Sequence, residues 1–480
     1  MKTLKKDYYY IIIGVLLEVL AIYTLWGSEA KLTLVAAVIG IPFTLFIIWY
    51  MSKSYENTIL ASFFSIFLLP LGGYIFLRLG LLDSQWIFYS IYYIGILFFL
   101  IKNGMFKRIN SDKNIIKNKY IRLIIIVMII LNLFFAYNRQ VSLMIILLSF
   151  LPFIFLFYVV RTSYFDDKKE FYNKILEATI IGSLVSVAPD FIYYMLSLIK
   201  GSTEKLYGPL GSNAILAYSL LMFVIVLGKW AKVDGIKNRW TLYVIGFSLS
   251  IGIQRSRGAL IAIFSIFILY LIFNIKNWKK YGVVFLIVGI MVTANVASRA
   301  DVSDEDTINE IHTIIDKPSD EANVGTGKIK EVIVKIIDTQ SRTRQIIWKS
   351  ALEITNDYKY TGVGLGNFKY FFNEYSGTSK SYIDAHNLLM NFSAELGLPF
   401  MILALALIIK MGIDALIGYF KERGKVRLTY LSLGIVVAIF FIYGNLTGIA
   451  FNFTGEIYSF SSTFMMLFIL FYMDYINEFV

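Results

Sequence analysis

An all-α, polytopic membrane fold is what this sequence predicts, and three observations carry it. The chain of 480 residues is 58% hydrophobic and 16% charged, too apolar to fold as soluble domains without exposing large apolar patches. The apolar residues gather into runs of roughly 20, the length that crosses a bilayer. Lys and Arg, 45 in all, fall mainly in alternate connections between those runs, as cytoplasmic loops require.

Apolar runs place spans near 8–26, 31–51, 57–79, 85–101, 120–137, 141–160, 174–199, 213–229, 239–253, 257–274, 280–295, 390–409, 428–447 and 456–473. The chain therefore reads as about fourteen transmembrane helices (12–14): eleven in 1–295, then an outer segment 296–389, then three in 390–480. The connections at 137–141 and 253–257 are tight enough to make antiparallel hairpins, or a re-entrant segment buried in protein. Near the start, Ser28-Glu29-Ala30 has the look of a cleavage site, but Glu18 interrupts a run long for a signal peptide. An uncleaved anchor is expected.

With the amino terminus inside, the inner segments collect well over half of the Lys and Arg. Both termini are thus expected in the cytoplasm. The net charge of +12 is explained by topology, so nucleic acid is not needed as a partner. The absence of cysteine excludes disulfides and a thiol nucleophile, and two histidines speak against a histidine-built metal centre. The acidic stretch Asp301 to Asp338 contains Asp304-Glu305-Asp306, which lacks the ligand spacing and turn glycine of a calcium loop.

The segment 296–389 is too long for a plain connection and is expected to form a small domain. Two helices are readable in it. From Ser341 to Thr355, Ile347, Ala351 and Ile354 recur at helical spacing, while Arg344 and Trp348 sit one turn apart. From Asn367 to Tyr375, Phe368, Phe371, Phe372 and Tyr375 mark an apolar stripe, with Asn367 as the expected cap.

Chemistry is sought among few residues. Gly362-Val363-Gly364-Leu365-Gly366 follows a helix rather than a strand, which rejects a dinucleotide fingerprint. Gly325-Thr326-Gly327-Lys328 has Ala322 where a phosphate-binding loop needs glycine. The run 362–366 reads either as a tight structural turn or as a source of free amides for an anionic or hydroxyl-rich ligand, with Gly364 and Gly366 the contributors. Arg255 and Arg257 stand at the outer ends of apolar spans, where a cation marks a site or snorkels to headgroups. With Arg342 and Arg344 they offer a two-pronged grip on a diphosphate. His386, where the outer segment re-enters the bilayer, is a candidate base for a sugar hydroxyl or else a structural histidine. His312, in the acidic loop, is expected to be solvent-exposed.

Taken together, Ser256-Arg257-Gly258-Ala259-Leu260, Arg344 four before Trp348, Gly362-Val363-Gly364-Leu365-Gly366-Asn367-Phe368, His386-Asn387 and Glu395-Leu396-Gly397-Leu398 resemble the O-antigen ligase and polymerase family of bacterial surface-polysaccharide enzymes. Gly208-Pro209-Leu210-Gly211-Ser212-Asn213 resembles an outer loop of that family, with Ser212 where a proline is usual. The resemblance is sharpest over about 205–400. It implies a GT-C type fold in the bacterial cytoplasmic membrane and a metal-independent inverting glycosyltransferase without cofactor, whose donor is an undecaprenyl-diphosphate-linked glycan. It further implies that Arg257 and Arg344 hold the diphosphate and that His386 activates the acceptor hydroxyl. Arg255, Arg342, Asn213 and Asn387 are the second rank of substrate-binding candidates. Polymerisation of repeat units is the preferred reading, because a composition rich in Lys, Ile, Phe and Tyr suits AT-rich bacteria lacking lipid A. Ligation of a finished glycan to lipid A core, protein or wall is the alternative. A lipid-linked oligosaccharide transporter is the second, disfavoured because Glu18 and Asp190 are too few charges to line a path.

Overall fold

The structure, a computed structural model, describes residues 44–69, 85–109, 119–199, 212–233, 238–253, 257–273, 284–290, 344–377 and 385–447, with 282, 469, 472 and 476 singly. Among the described residues no strand forms, and Ile109 and Ser163 make only an isolated antiparallel bridge. Besides helical stretches at 44–53, Met105–Arg108 and 284–290, the helices are α1 (Tyr55–Ser65), α2 (Gln85–Lys102), α3 (Lys119–Phe135), α4 (Arg139–Thr162), α5 (Lys168–Ile199), α6 (Ser212–Ala231), α7 (Arg239–Ile253), α8 (Arg257–Phe273), α9 (344–357), α10 (Phe368–Ser376), α11 (Leu388–Leu396), α12 (Leu398–Lys421) and α13 (Gly424–Thr447). The span expected at 8–26, with Glu18, and most of those at 31–51 and 456–473 lie outside the described residues, as do Ser28-Glu29-Ala30, Asp304-Glu305-Asp306 and His312.

Three described helices are long and apolar enough to cross a membrane: Arg139–Thr162, Leu398–Lys421 and Gly424–Asn445. Shorter apolar helices run over Ile87–Lys102, Tyr218–Ala231, Arg239–Ile253 and Ile261–Tyr270. α4 widens into a π-helical turn at Ile146–Phe150. Pro152 begins the next turn, and having no N–H to bond back to residue 148 it breaks the regular ladder there.

α6 is apolar all round, and Leu220, Met222, Phe223, Val224 and Leu227 are wholly buried. Such a helix belongs in a bundle centre, and α6 packs against α5, α7, α8 and α13. Polar side chains join these helices inside the apolar core: Ser219 and Ser250 hydroxyls meet at 2.8 Å, and Ser186 meets Tyr218 at 2.9 Å. Bonds of this kind between membrane helices contribute roughly 0.5–2 kcal/mol each. The backbones of α6 and α13 approach closely at Gly228, where any Cβ would collide with Ser432. On the periphery, α12 exposes Ile402, Ile409, Ile413, Leu416, Ile417 and Phe420, a stripe suited to lipid.

One expectation is corrected at the end of the outer segment. The span read as 390–409 is two helices, because α11 stops at Leu396 and α12 starts at Leu398 around Gly397, whose φ is 84°. Pro399 in the first turn of α12 suits a fresh start and not a continuation.

Candidate functional site

Helix directions bring the sequence-predicted positions to one end of the bundle. Gly228, near the end of α6, meets Ser432, near the start of α13, so the two run antiparallel. The last residue of α8, Phe273, accepts a hydrogen bond at its carbonyl from Tyr419, close to the end of α12 and hence to the start of α13. α8 and α13 pack together, so they too are antiparallel. The first turns of α6, with Asn213, and of α8, with Arg257, therefore lie toward the end of α13. Asn445 lies at that same end and receives the His386–Asn387 turn. The opposite end of the bundle gathers Lys229, Lys232, Arg239, Lys425 and Arg427. There Arg239 pairs with Glu177 at 2.8 Å and Lys232 reaches the Thr429 hydroxyl.

His386 has φ of 47°, the one positive value for a non-glycine among the described residues. This left-handed backbone costs an ordinary residue roughly 1–2 kcal/mol and persists only where surroundings impose it. Three asparagines do so. Asn391, fully buried, accepts the Ala385 N–H at 3.1 Å through Oδ1. Asn387 caps α11 by accepting the Met390 N–H at 3.1 Å, and its Nδ2 donates to the Asn445 carbonyl at 3.3 Å. Asn445 Oδ1 in turn accepts the Leu389 N–H at 3.5 Å.

Arg344 is exposed and opens α9, which is fixed to the histidine-bearing element from below. Ile347, Ala351 and Ile354 of α9 share a buried cluster with Phe368 and Phe372 of α10, with Ala385, and with Ala394 of α11. The Thr355 and Ser393 hydroxyls join the two helices at 2.9 Å. Arg344 and His386 thus belong to one packed unit.

The glycine run is part of the same unit, and the expectation of a free amide is corrected at Gly364. Gly362 N–H donates to Tyr358 O at 2.8 Å, Val363 to Ala394 O at 2.9 Å and Gly364 to Glu395 O at 3.0 Å, while Leu365 donates to Asn132 Oδ1 at 3.2 Å. Positive φ holds at Gly362, Gly364 and Gly366, a backbone that glycine adopts freely. A Cβ on Gly364 would stand 2.5 Å from Ala136 Cβ. The run therefore locks the outer segment onto 394–398 and onto the α3–α4 hairpin.

Asn367 is the other correction. It occupies the cap position of α10 without a side-chain cap bond. Its buried amide instead bonds the Ser142 hydroxyl at 2.9 Å, and its Oδ1 accepts the Asn138 N–H at 3.0 Å. The buried carboxyl group of Glu395 serves α10 in its place, with Oε1 accepting the Phe368 N–H at 3.3 Å.

The side chains of Arg257 and Asn213, and the whole of Arg255 and Arg342, lie outside the described residues. Sequence reasoning missed Asn132, Asn138, Asn391 and Asn445. For all but Asn138, which lies in the turn at 137–141, the signal is an amide inside an otherwise apolar run, which is costly in lipid unless it is satisfied. Asn132 illustrates it, buried and donating to Thr361 O and to Glu395 O at 3.1 and 2.7 Å.

Fold and site together define a helical membrane-type protein with a helical unit clamped over one end of its bundle. Residues 242–405 match the family model described as O-antigen ligase, which supports the resemblance to the ligase and polymerase family. The match spans α7 through the start of α12, enclosing Arg257, Arg344, the glycine run and His386 but not Asn213. Members of that family are glycosyl-transferring enzymes acting on lipid-linked glycans in a membrane setting. No curated protein matches the chain.

Proposed function

We propose that the chain is an inverting, metal-independent glycosyltransferase of GT-C type that polymerises undecaprenyl-diphosphate-linked repeat units on the outer side of the bacterial cytoplasmic membrane, with both termini in the cytoplasm. The observation that carries this reading is the convergence of the His386 turn, the start of Arg257's helix and the Arg344 helix at the end of the bundle opposite the basic cluster. A cytoplasmic location for that cluster follows the inside preference of Lys and Arg.

In the proposed reaction the acceptor hydroxyl oxygen attacks the anomeric carbon from the face opposite the diphosphate. The bond from that carbon to the diphosphate oxygen breaks, and undecaprenyl diphosphate departs. Neutral His386 takes the hydroxyl proton, and Arg257 and Arg344 stabilise the charge gathering on the leaving group. Arg255, Arg342 and Asn213 are assigned to the donor headgroup. Asn387 acts through the turn it holds, and Gly364 and Gly366 act by seating the outer unit.

The test is His386→Ala and Arg257→Ala in a deletion strain, with membrane insertion checked alongside. Loss of polymer from correctly inserted protein is expected, and wild-type chain lengths in either variant defeat the assignment. The description of the matching domain as a ligase favours a second reading, transfer of a finished glycan to lipid A core, protein or wall. The glycan gel of the deletion strain separates the two: a single attached repeat means a lost polymerase, and a long chain stranded on its carrier means a lost ligase.

A further inference from the structure

The outward face of the clamped unit carries a feature that the transfer chemistry does not use. Lys349, Glu353, Asn356 and Asp357 project from α9, on the side away from its buried stripe, and with Leu352 and Tyr375 they line a cavity of about 370 Å³. Tyr375 Oη donates to Asp357 Oδ2 at 2.7 Å. Burial, and then this carboxylate, raise the Tyr375 pKa well above that of a free phenol, so the hydroxyl stays protonated and the bond stays made.

Beside the cavity lies a chain of rings. Phe371, buried, has Tyr137 at 5.0 Å, Tyr358 at 5.3 Å and Tyr375 at 6.4 Å between centroids, and Tyr137 reaches Tyr370 at 6.0 Å. Tyr137 and Tyr370 are 68% and 42% exposed, so both rings are reachable from outside the protein. Rings held by a buried neighbour lose little freedom on binding.

From this geometry we infer a saccharide-binding surface, made of the Tyr137–Tyr370–Tyr358 rings and the Glu353–Asn356–Asp357 pocket, that holds neutral sugar units of the glycan away from the reacting end. Three arguments select that occupant. Carboxylates and a carboxamide in one pocket accept from and donate to adjacent hydroxyls, while flat rings cover the C–H face of a pyranose. Lys349 pairs with Glu353 at 3.8 Å, while Asp357 and Glu374 both bear on Tyr375, so the surface suits neither a diphosphate nor an anionic headgroup. Its place also fits: Glu353 stands nine residues along α9 from Arg344, roughly 14 Å at the helical rise, a few sugar rings from the proposed diphosphate grip. The identity of the ligand as this enzyme's own glycan rests on the function proposed above.

The experiment uses the full chain in lipid nanodiscs, with neutral oligosaccharides of graded length released by mild acid from the host's surface glycan as the probe. Binding is followed by saturation-transfer NMR. Tyr137→Ala/Tyr370→Ala and Asp357→Asn should each weaken binding several-fold and shorten the polymer made in cells, while transfer of a single repeat stays near wild type. Ile402→Ala, on the exposed stripe of α12, should change neither. Unaltered oligosaccharide affinity in the tyrosine double variant overturns the inference. So does a change confined to how the protein sits in the bilayer, which would make the rings a membrane-interface belt. His386→Ala separates the two proposals. Retained binding with lost transfer supports both, whereas wild-type transfer in that variant removes the proposed role of His386 and leaves the binding result to decide the surface.

Discussion

The side-chain oxygen of Asn391 accepts the backbone N–H of Ala385 at 3.1 Å, one residue before His386 takes up its left-handed conformation. The bond closes a turn in which the imidazole is aimed by backbone and not by its own rotamer alone. Asn391 is fully buried, so removal of its acceptor leaves the Ala385 N–H without that partner, at a cost of about 1–3 kcal/mol.

Asn391→Leu, close in size but without the acceptor, is therefore expected to lower turnover by about a hundredfold, the penalty of shifting a reacting group by an ångström. The chain should still insert. Asn391→Asp keeps an oxygen at the same place and should recover most of the rate. The two variants are compared by in vitro transfer and by the carbethoxylation rate of His386, read by peptide mass spectrometry. Equal reactivity and equal rate in wild type and Asn391→Leu would refute the positioning role.

Glycines of the outer unit separate two kinds of strain. Gly364→Ala meets Ala136 at 2.5 Å and must hold φ near 100°, so it is expected to loosen the contact between the outer unit and the α3–α4 hairpin by several kcal/mol, on the order of an overpacked core with added backbone strain. Gly377→Ala has φ of 64° but open space around the new methyl, and only the backbone cost of about 1 kcal/mol applies. Limited trypsinolysis and thermal denaturation in detergent should rank Gly364→Ala far below Gly377→Ala, which should stay close to wild type. Equal behaviour would mean that Ala136 yields freely.

What the sequence revealed and concealed follows from range. The helices Arg239–Ile253 and Arg257–Phe273 were legible to within a residue, because an apolar run between charged ends is a local signal. The break at Gly397 was not, since 390–409 reads as one continuous span. What forces it is the backbone of Tyr360, 2.7 Å from where a Cβ of Gly397 would lie, a neighbour distant in sequence. Asn367 read as a cap for the same reason, its side chain being drawn off by Asn138 and Ser142. The motifs Gly362–Gly366 and Glu395–Leu398 were noticed together as a resemblance. Their physical link, Gly364 N–H to Glu395 O, needed the structure.

Glu395 offers a test of the cap supplied from another helix. Glu395→Gln keeps an oxygen for the Phe368 N–H, whereas Glu395→Leu loses it. The expected order of thermal stability is wild type, then Gln, then Leu. The step to Leu should be about 1–3 kcal/mol for the unsatisfied amide, and the step to Gln smaller. Denaturation of purified protein checks the order, and a Gln variant less stable than Leu would contradict the cap.

At the opposite end, Lys232 follows the last turn of α6, near the Thr429 hydroxyl. Burial first, and then Lys229, Lys425 and Lys169, lower its pKa from 10.5 to about 8. Between pH 8 and 10.5 the unfolded chain therefore holds a proton that the folded chain has released, so stability rises with pH across that window. Below pH 8 both states are protonated, and the full cost of burying the cation among like charges remains. Lys232→Met removes that cost while keeping the aliphatic stem. It is expected to raise the melting temperature by a few degrees at pH 7 and to flatten the rise between pH 8 and 10, as read by denaturation scans at matched ionic strength. A Met variant that melts lower at pH 7 would mean that the Lys232 contact to Thr429 outweighs the repulsion from its neighbours.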